Sequence, residues 1–553
     1  MSIHQLIDRL EERRIRLFLD DGALKFHAPK GALNEELKQS IKAQRSDIMA
    51  WLERTEDLAP ASPSQRRMWV LSEIEHPSAY NVRLPITYQG ELDLKRLKKS
   101  LRTIFEQQEI LRTAFQMDSG RLWQNVDATC ALPFKGYDFS GEADPENKAE
   151  QLISEHLLEP YDLTQAPLWR VIHIKTGDRR GWLGLGFHHA IIDGGSLGLF
   201  LRDLSTFYEQ IDVESAQPTS SDRYTYSDYV KEMDTYMNSP AGVRDLSYWT
   251  DQLKDAPRLQ LPIDFSRPAV QSHSGKTHFV TIDKQRAEQL KKLAGQHGAT
   301  LYMLMVNLWA LMFYRQTGQT DQILGMPVSG RDRAETAELY GLLLNTLPVR
   351  ITFDEQKSFL DMLSTVKHTL LEAYEHQHYP LDALINHLNL ERDTSRNPLF
   401  DVTVVMQNAA KLELNLGEAE LTSAFSDSGT VKGDLYIDIE DSGNGMTVGI
   451  NYNTDLFSSE RITAFERDLF HLIDELINQP EQRISDLSYR NAEYAIADRS
   501  EEESYVNLFE KLALAAALDP KKTAIADGQQ SITYGELEQR IKRWRKYLCG
   551  LGI

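Results

Sequence analysis

Short β-like runs alternate with amphipathic helices from about residue 62 to about residue 490, and this alternation most limits what the chain can become. "RLPITYQG" (Arg83–Gly90) reads as a strand, "LDLKRLKKSLRTIFEQQ" (Leu92–Gln108) as a helix and "GWLGLGF" (Gly181–Phe187) as a buried strand. Switching between a period of two and a period of 3.6 predicts a mixed α/β fold. Roughly 430 residues is large for one hydrophobic core, so two lobes are expected. Pro, Ser and polar residues accumulate between "SAQPTSSDR" (Ser215–Arg223) and "LQLPIDFSRPAVQSHSG" (Leu259–Gly275). The break between lobes is expected there, giving residues 62–265 and 266–490.

A small unit precedes the body. Residues 2–14 predict a helix, with Ser2 as its cap and Ile3, Leu6, Ile7 and Leu10 at helical spacing. "IRLFLDDGALKFHAP" then alternates on both sides of Asp21-Gly22, a strong hairpin signal. A second helix is expected near Asn34–Glu53, with Leu37, Ile41, Ile48 and Leu52 on its core face. So small a unit (residues 1–55) buries little core and holds no cluster of catalytic residues; it suits binding better than catalysis. "TEDLAPASPSQ" reads as a linker, placed at 56–61, and a polar stretch after Asp486 leads to another start near Val506.

Charge and composition exclude several classes. The net charge is -21, yet the first fifty residues hold nine Lys or Arg against eight Asp or Glu, so the rest carries -22. Nucleic acid is not an expected partner, because phosphate binding needs a basic footprint. No apolar run approaches the ~20 residues that span a bilayer. The N-terminus lacks a signal peptide's apolar centre. Cys130 and Cys549 alone provide neither a disulfide framework nor a Cys-based zinc site, and a cytoplasmic location is the simplest expectation.

The candidate chemistry lies in "GFHHAIIDGGS" (Gly186–Ser196). His188 and His189 sit where the strand Trp182–Phe187 ends, before an amphipathic helix expected over Ser196–Tyr208. Histidine suits proton transfer near neutral pH. Asp193 could orient an imidazole or brace the loop. Gly194 and Gly195 permit unusual backbone angles and leave an amide open to a developing oxyanion. No metal is expected, since consecutive histidines on a strand point to opposite faces and no third ligand stands at a familiar spacing. A purely structural histidine pair stays open, although His-His-x-x-x-Asp-Gly arises by chance on the order of once in a thousand such chains.

That stretch resembles the active-site motif of the condensation domains of non-ribosomal peptide synthetases, relatives of chloramphenicol acetyltransferase. Further stretches resemble the family's other motifs in the family's order. They are "SPSQRRMWVLSEIEHPSAYNV" (Ser62–Val82), "EILRTAF" (Glu109–Phe115), "YTYSDYV" (Tyr224–Val230), "YGLLLNTLPVR" (Tyr340–Arg350), "HQHYPLDALI" (His376–Ile385) and "RDTSRNPLFDVTVVMQN" (Arg392–Asn408). Gln107 and Gln108 depart from the family's usual Arg-His. The resemblance implies a V-shaped pair of chloramphenicol-acetyltransferase-like lobes. It implies peptide-bond formation between a donor acyl or peptidyl thioester and the amine of an acceptor aminoacyl thioester. Both are delivered on 4'-phosphopantetheine arms of carrier domains, with no cofactor bound by the domain itself.

By the same resemblance His189 is the catalytic histidine, as a general base or as a group that positions the amine. His188 supports the loop, the Gly194 amide faces the reacting carbonyl, and Asp193 pairs with an arginine of the second lobe, for which "GMPVSGRDR" offers Arg331. Tyr226, Tyr229, Trp249, Tyr379 and Phe400 read as core, and Arg112 and Asn345 as structural or tunnel contacts.

The first 55 residues resemble the TubC-like N-terminal docking domains of the helix–hairpin–helix kind. These capture a C-terminal segment of an upstream synthetase subunit by adding it as a strand. Arg13, Arg14, Arg16, Lys25 and Lys30 surround the hairpin and suggest an acidic tail, against the plainer reading of solvated surface charge. The partners implied are that segment, the upstream carrier domain and a downstream carrier domain. "NLFEKLALAAALDPKKTAIADGQQSITYGELEQRIKRWRKYLCGLGI" (Asn507–Ile553) resembles the start of an adenylation domain, so 491–553 is expected to be a linker and its truncated beginning. Heterocyclisation domains carry aspartate at both histidine positions. Epimerisation domains follow a carrier domain, and a silent recruitment platform or an acyltransferase using free coenzyme A fits the intact motif and its flanks less well.

Overall fold

The structure is a computed structural model. It describes residues 59–74, 78–118, 120–210, 224–390, 393–407, 414–423 and 429–487, much of 6–49, and parts of 520–541. Two compact units are present, Met1–Leu487 and Ser488–Ile553.

Within the first unit, β1 (Arg16–Asp20) and β2 (Ala23–His27) form an antiparallel hairpin with Asp20 opposite Ala23, at the place the Asp-Gly signal marks. Helix α1 (Glu35–Ala43) starts at Asn34, whose side chain accepts the Leu37 N–H and satisfies one free helix donor. The helix expected over 2–14 lies mostly outside the described residues. Leu6, Leu10, Ile15, Leu17, Leu37 and Ile48 make a small core, and Trp123 of the body closes it.

The body begins with α2 (Pro63–Ile74), β3 (Asn81–Gln89), α3 (Leu94–Gln107), β4 (Thr113–Asp118), β5 (Arg121–Val126) and β6 (Phe134–Asp138). Next come α4 (Pro145–Leu158), β7 (Trp169–Gly177), β8 (Arg180–His188), α5 (Gly194–Gln210) and α6 (Tyr226–Met237). The first lobe's main sheet runs in the order Glu420–Ser423, β3, β8, β7, β6. Strand β8 is buried along nearly its whole length. Its glycines explain how α4 packs so closely: a Cβ at Gly186 would meet the Leu157 side chain at 2.9 Å. On the other face Trp169 stacks on Phe187 at 5.7 Å, with Phe200 of α5 edge-on to both. These three rings centre the first core.

After α7 (Pro240–Leu253), a second sheet forms from β9 (Gly275–Asp283), β10 (Asp321–Val328), β11 (Asn345–Thr352), β12 (Val402–Gln407), β13 (Leu435–Asp441) and β14 (Gly445–Asn453). Its order is β9-β14-β13-β12-β10-β11, with β12 parallel to both neighbours. Helices α8 (Lys284–Gln296), α9 (Leu301–Thr317), α10 (Phe359–Glu375), α11 (Leu381–Leu388) and α12 (Ser459–Asn478) accompany it. Residues 303–313 of α9 are all buried, as a helix apolar on every side must be.

The two cores exchange residues. Leu246 and Trp249 of α7 belong to the second core, while Leu339, Tyr340 and Leu343 enter the first. Segments of the second half that touch the first lobe include the Leu339–Leu344 turn and the strand Glu420–Ser423, antiparallel to β3. The turn reaches Asp193 beyond the His188 end of β8, whereas the strand, across β3, lies beside the Arg180–Leu183 end.

The second unit has Thr523–Ala526 paired antiparallel with Ser531–Thr533. Among the described residues, no helix is long and apolar enough to cross a membrane.

Candidate active site

The histidine pair stands at the end of β8, where Asn81 of β3 faces His188. His188 is buried, and the Ala190 N–H donates to its Nδ1 at 3.2 Å. That places the ring proton on Nε2, 3.3 Å from the Ser72 hydroxyl, which itself donates to the Met68 carbonyl at 2.7 Å. Tyr161 meets the His188 ring edge-on at 6.0 Å. Burial, with His189 and Lys432 nearby, lowers the His188 pKa to about 3. His188 is thus a neutral, fully engaged structural ring.

His189 differs. Its backbone N–H donates to the Tyr80 carbonyl at 2.9 Å, so its main chain is fixed by the turn before β3. The residue is partly accessible, and its buried Nδ1 has no hydrogen-bond partner among the described residues. Its pKa falls to about 4, chiefly through burial and then through the positive charge of Lys432, against a smaller opposing pull from Asp193. At neutral pH the ring is therefore uncharged.

Asp193 is 2% exposed. One oxygen accepts the Ser196 N–H at 2.8 Å, capping the first turn of α5. The other accepts Arg331 at 2.9 Å and the backbone N–H groups of Leu343 and Leu344 at 2.9 and 3.0 Å. Arg331 also donates to the Ser196 hydroxyl at 2.6 Å and to the Ser329 and Leu339 carbonyls. A four-point carboxylate and the two terminal nitrogens of the guanidinium therefore engage each other across the seam between lobes, while the buried Arg331 Nε has no partner among the described residues.

The glycines act otherwise than by unusual angles. Neither Gly194 nor Gly195 has a positive φ. A Cβ at Gly195 would lie 2.6 Å from the Arg331 guanidinium, so that position is kept bare for the ion pair. A Cβ at Gly194 would meet nothing within 4 Å. Its amide belongs to the first turn of α5, where helix N–H groups lack intrahelical acceptors.

Of the other expected residues, Tyr226 is buried core that also donates to the Leu342 carbonyl at 2.9 Å. Asn345 joins the Gln377 and Tyr379 carbonyls to the Leu381 N–H, and Arg112 donates to the Phe105 and Glu106 carbonyls; both are structural. In the N-terminal unit Arg13 and Lys25 are exposed, while Arg14, Lys30 and the Arg16 side chain lie outside the described residues. Among the described residues, no cluster of three His, Cys, Asp or Glu could hold a metal.

Sequence reasoning missed four neighbours. Gln65 donates to the Ala190 carbonyl at 3.1 Å, Ser62 braces Gln65, Ser72 holds His188, and Lys432 bears on both histidines. Ser62, Gln65 and Ser72 stand inside a quoted motif, so their signal was present; Lys432 gave none.

Two α/β lobes braced over a neutral imidazole are the arrangement of a condensation-domain fold. The chain belongs to the condensation-domain family, which matches residues 55–495, and the TubC N-terminal docking domain matches residues 3–54. It is 32% identical over 541 residues to surfactin synthase subunit 1 of Bacillus subtilis (strain 168), covering 94% of this chain and 14% of that protein. It is also 31% identical over 514 residues to tyrocidine synthase 3 of Brevibacillus parabrevis, covering 89% of this chain and 8% of that protein. It thus spans less than a sixth of either relative. Its fold matches the first condensation domain of the calcium-dependent antibiotic synthetase with a TM-score of 0.64 at 23% identity, over 78% of this chain and 100% of that one. The X-domain from teicoplanin biosynthesis matches with a TM-score of 0.70 at 21% identity, over 78% and 98%.

Proposed function

We propose that this chain forms a peptide bond between two carrier-bound substrates. The acceptor's amine nitrogen attacks the donor's thioester carbonyl. The C–N bond forms, the C–S bond breaks, and the proton lost by the amine ends on the released thiol. His189 is the proposed catalytic residue, and the observation that supports this most is a neutral imidazole at the end of β8 beside the Asp193–Arg331 brace. A pKa lowered to about 4 favours one of its two candidate tasks. General bases work best near the operating pH, and this ring lies roughly three units below it. Accepting a hydrogen bond from the amine, and so placing it, fits better than taking its proton beforehand. The proton moves once the nitrogen gains positive charge.

His188, Asp193 and Arg331 are proposed to hold loop and lobes in register, and the Gly194 N–H to meet the carbonyl oxygen. Residues 1–55 are proposed to be a helix–hairpin–helix docking domain that takes an acidic C-terminal segment of an upstream subunit by strand addition, aided by Arg13, Arg14, Arg16, Lys25 and Lys30. Residues 62–265 and 266–490 are the proposed lobes, and 491–553 a linker and the start of an adenylation domain. The donor comes from an upstream carrier domain and the acceptor from a downstream one. Mass spectrometry of carrier-bound products across loaded donors tests the reading: a product one donor unit heavier on the acceptor carrier is expected. An acceptor carrier unchanged with every donor would overturn it.

A further inference from the structure

The short segment Val431–Asp434, just before β13, is pinned on both sides of one lysine. The Val431 N–H donates to the His273 carbonyl at 3.0 Å, and the His273 ring donates back to the Val431 carbonyl at 3.0 Å. Gly433 has a φ of +128, and a Cβ there would sit 3.0 Å from the Asp401 carbonyl oxygen. Asp434 pairs with both terminal nitrogens of Arg267, at 2.8 and 2.5 Å, and its N–H donates to the Asp401 carbonyl at 2.9 Å. Between these anchors the Lys432 side chain is exposed, with its ammonium 5.9 Å from the Tyr80 ring centroid. Tyr80 is the residue whose carbonyl fixes the His189 main chain. A rigid segment of the second half thus carries a cation to the first lobe's histidine loop.

We propose that Lys432 is a positioning residue for the condensation reaction, a cation held beside His189 where the donor carbonyl gathers negative charge. The inference rests on the reading of His189 given above. When the amine attacks, the carbonyl oxygen becomes negative and the nitrogen positive. A positive charge carried on a pinned backbone segment favours the oxyanion as it forms. It also disfavours imidazolium, in line with Lys432 being the charged side chain that depresses His189. The charged and titratable groups bearing on the ring are His188 beside it, Asp193 with Arg331 behind it, and Lys432. Asp193 opposes Lys432, but its charge is already shared among Arg331 and three backbone N–H groups.

The test compares wild type, Lys432→Met, Lys432→Arg and His189→Ala as full chains, with single-turnover condensation between loaded carriers and NMR titration of the His189 ring. Lys432→Met is expected to slow the chemical step about tenfold, less than the loss of a direct oxyanion donor, with the half-saturating acceptor-carrier concentration unchanged. His189 in that variant should titrate at a higher pH than in wild type, and Lys432→Arg should restore both properties. A Lys432→Met rate within twofold of wild type, or an unmoved His189 titration, overturns the Lys432 role. Undiminished condensation by His189→Ala overturns instead the histidine reading beneath it.

Discussion

Asp193 is surrounded by donors it cannot lose cheaply. Its side chain is 1% exposed and that of Arg331 9%, so removing the carboxylate leaves a buried guanidinium unpaired. Such a change costs about 3–5 kcal/mol. Asp193→Ala is therefore expected to lower the urea midpoint steeply, and Gly195→Ala to do part of the same by displacing Arg331, while Gly194→Ala leaves the midpoint near wild type. Equal midpoints for Gly194→Ala and Gly195→Ala would contradict this account of the turn. The Asp193–Arg331 pair was legible because both residues stand in turn-rich strings that carry a family resemblance. Lys432 was not, since a lone polar residue on a loop has no periodicity, and the histidines it bears on lie more than two hundred residues away.

The elements that position the site were the most readable ones. Strand β8 and helix α5 extend the expected spans by only one or two residues at each end, because burial on both strand faces and a broad apolar helix stripe leave strong patterns. The strand Glu420–Ser423 was not readable: four residues give too few alternations, and its partner β3 lies some 330 positions earlier. Nor was the seat of the docking unit. Trp123 of β5 lies 5% exposed in the core of the first fifty residues, with Arg121 stacked on it at 4.9 Å. Truncating a large buried aromatic costs about 3–5 kcal/mol. Trp123→Ala should loosen the docking unit from the body, so limited proteolysis releases the first ~55 residues several times faster than in wild type, while the body stays folded. Unchanged release would show that Trp123 is not a seat.

Across the whole molecule, buried neutral histidines set an acid limit. His173 and His189 are held at about 4 and His188 at about 3, each by burial first, against an unfolded value near 6.5. Between those values the unfolded chain binds more protons than the folded one, so stability falls as pH drops from about 6.5 toward 4. Each histidine contributes up to about 1.4 kcal/mol per pH unit. Asp401, raised to about 6 by burial and by Asp434, and Asp438, raised by burial, act in the opposite sense, but they are two groups against four, since burial lowers His156 as well. Urea midpoints should therefore decline between pH 6.5 and pH 4.5, and a His173→Gln variant should decline less. A flat midpoint over that range would contradict the buried, neutral histidines. The two-lobed plan was legible from length and alternation, whereas the exchange of Leu339–Leu343 and α7 between cores was not, because apolar residues carry no label for the core they enter.

On the proposed reading, His189 works on the acceptor amine while the residues around it hold it in place. Rapid-quench condensation between a loaded donor and a loaded acceptor carrier, with His189→Ala beside wild type, tests it most directly. The account predicts a loss of about 10²–10⁴-fold in the single-turnover rate, with the urea midpoint and carrier affinity unchanged. A His189→Ala rate within a few-fold of wild type would contradict it.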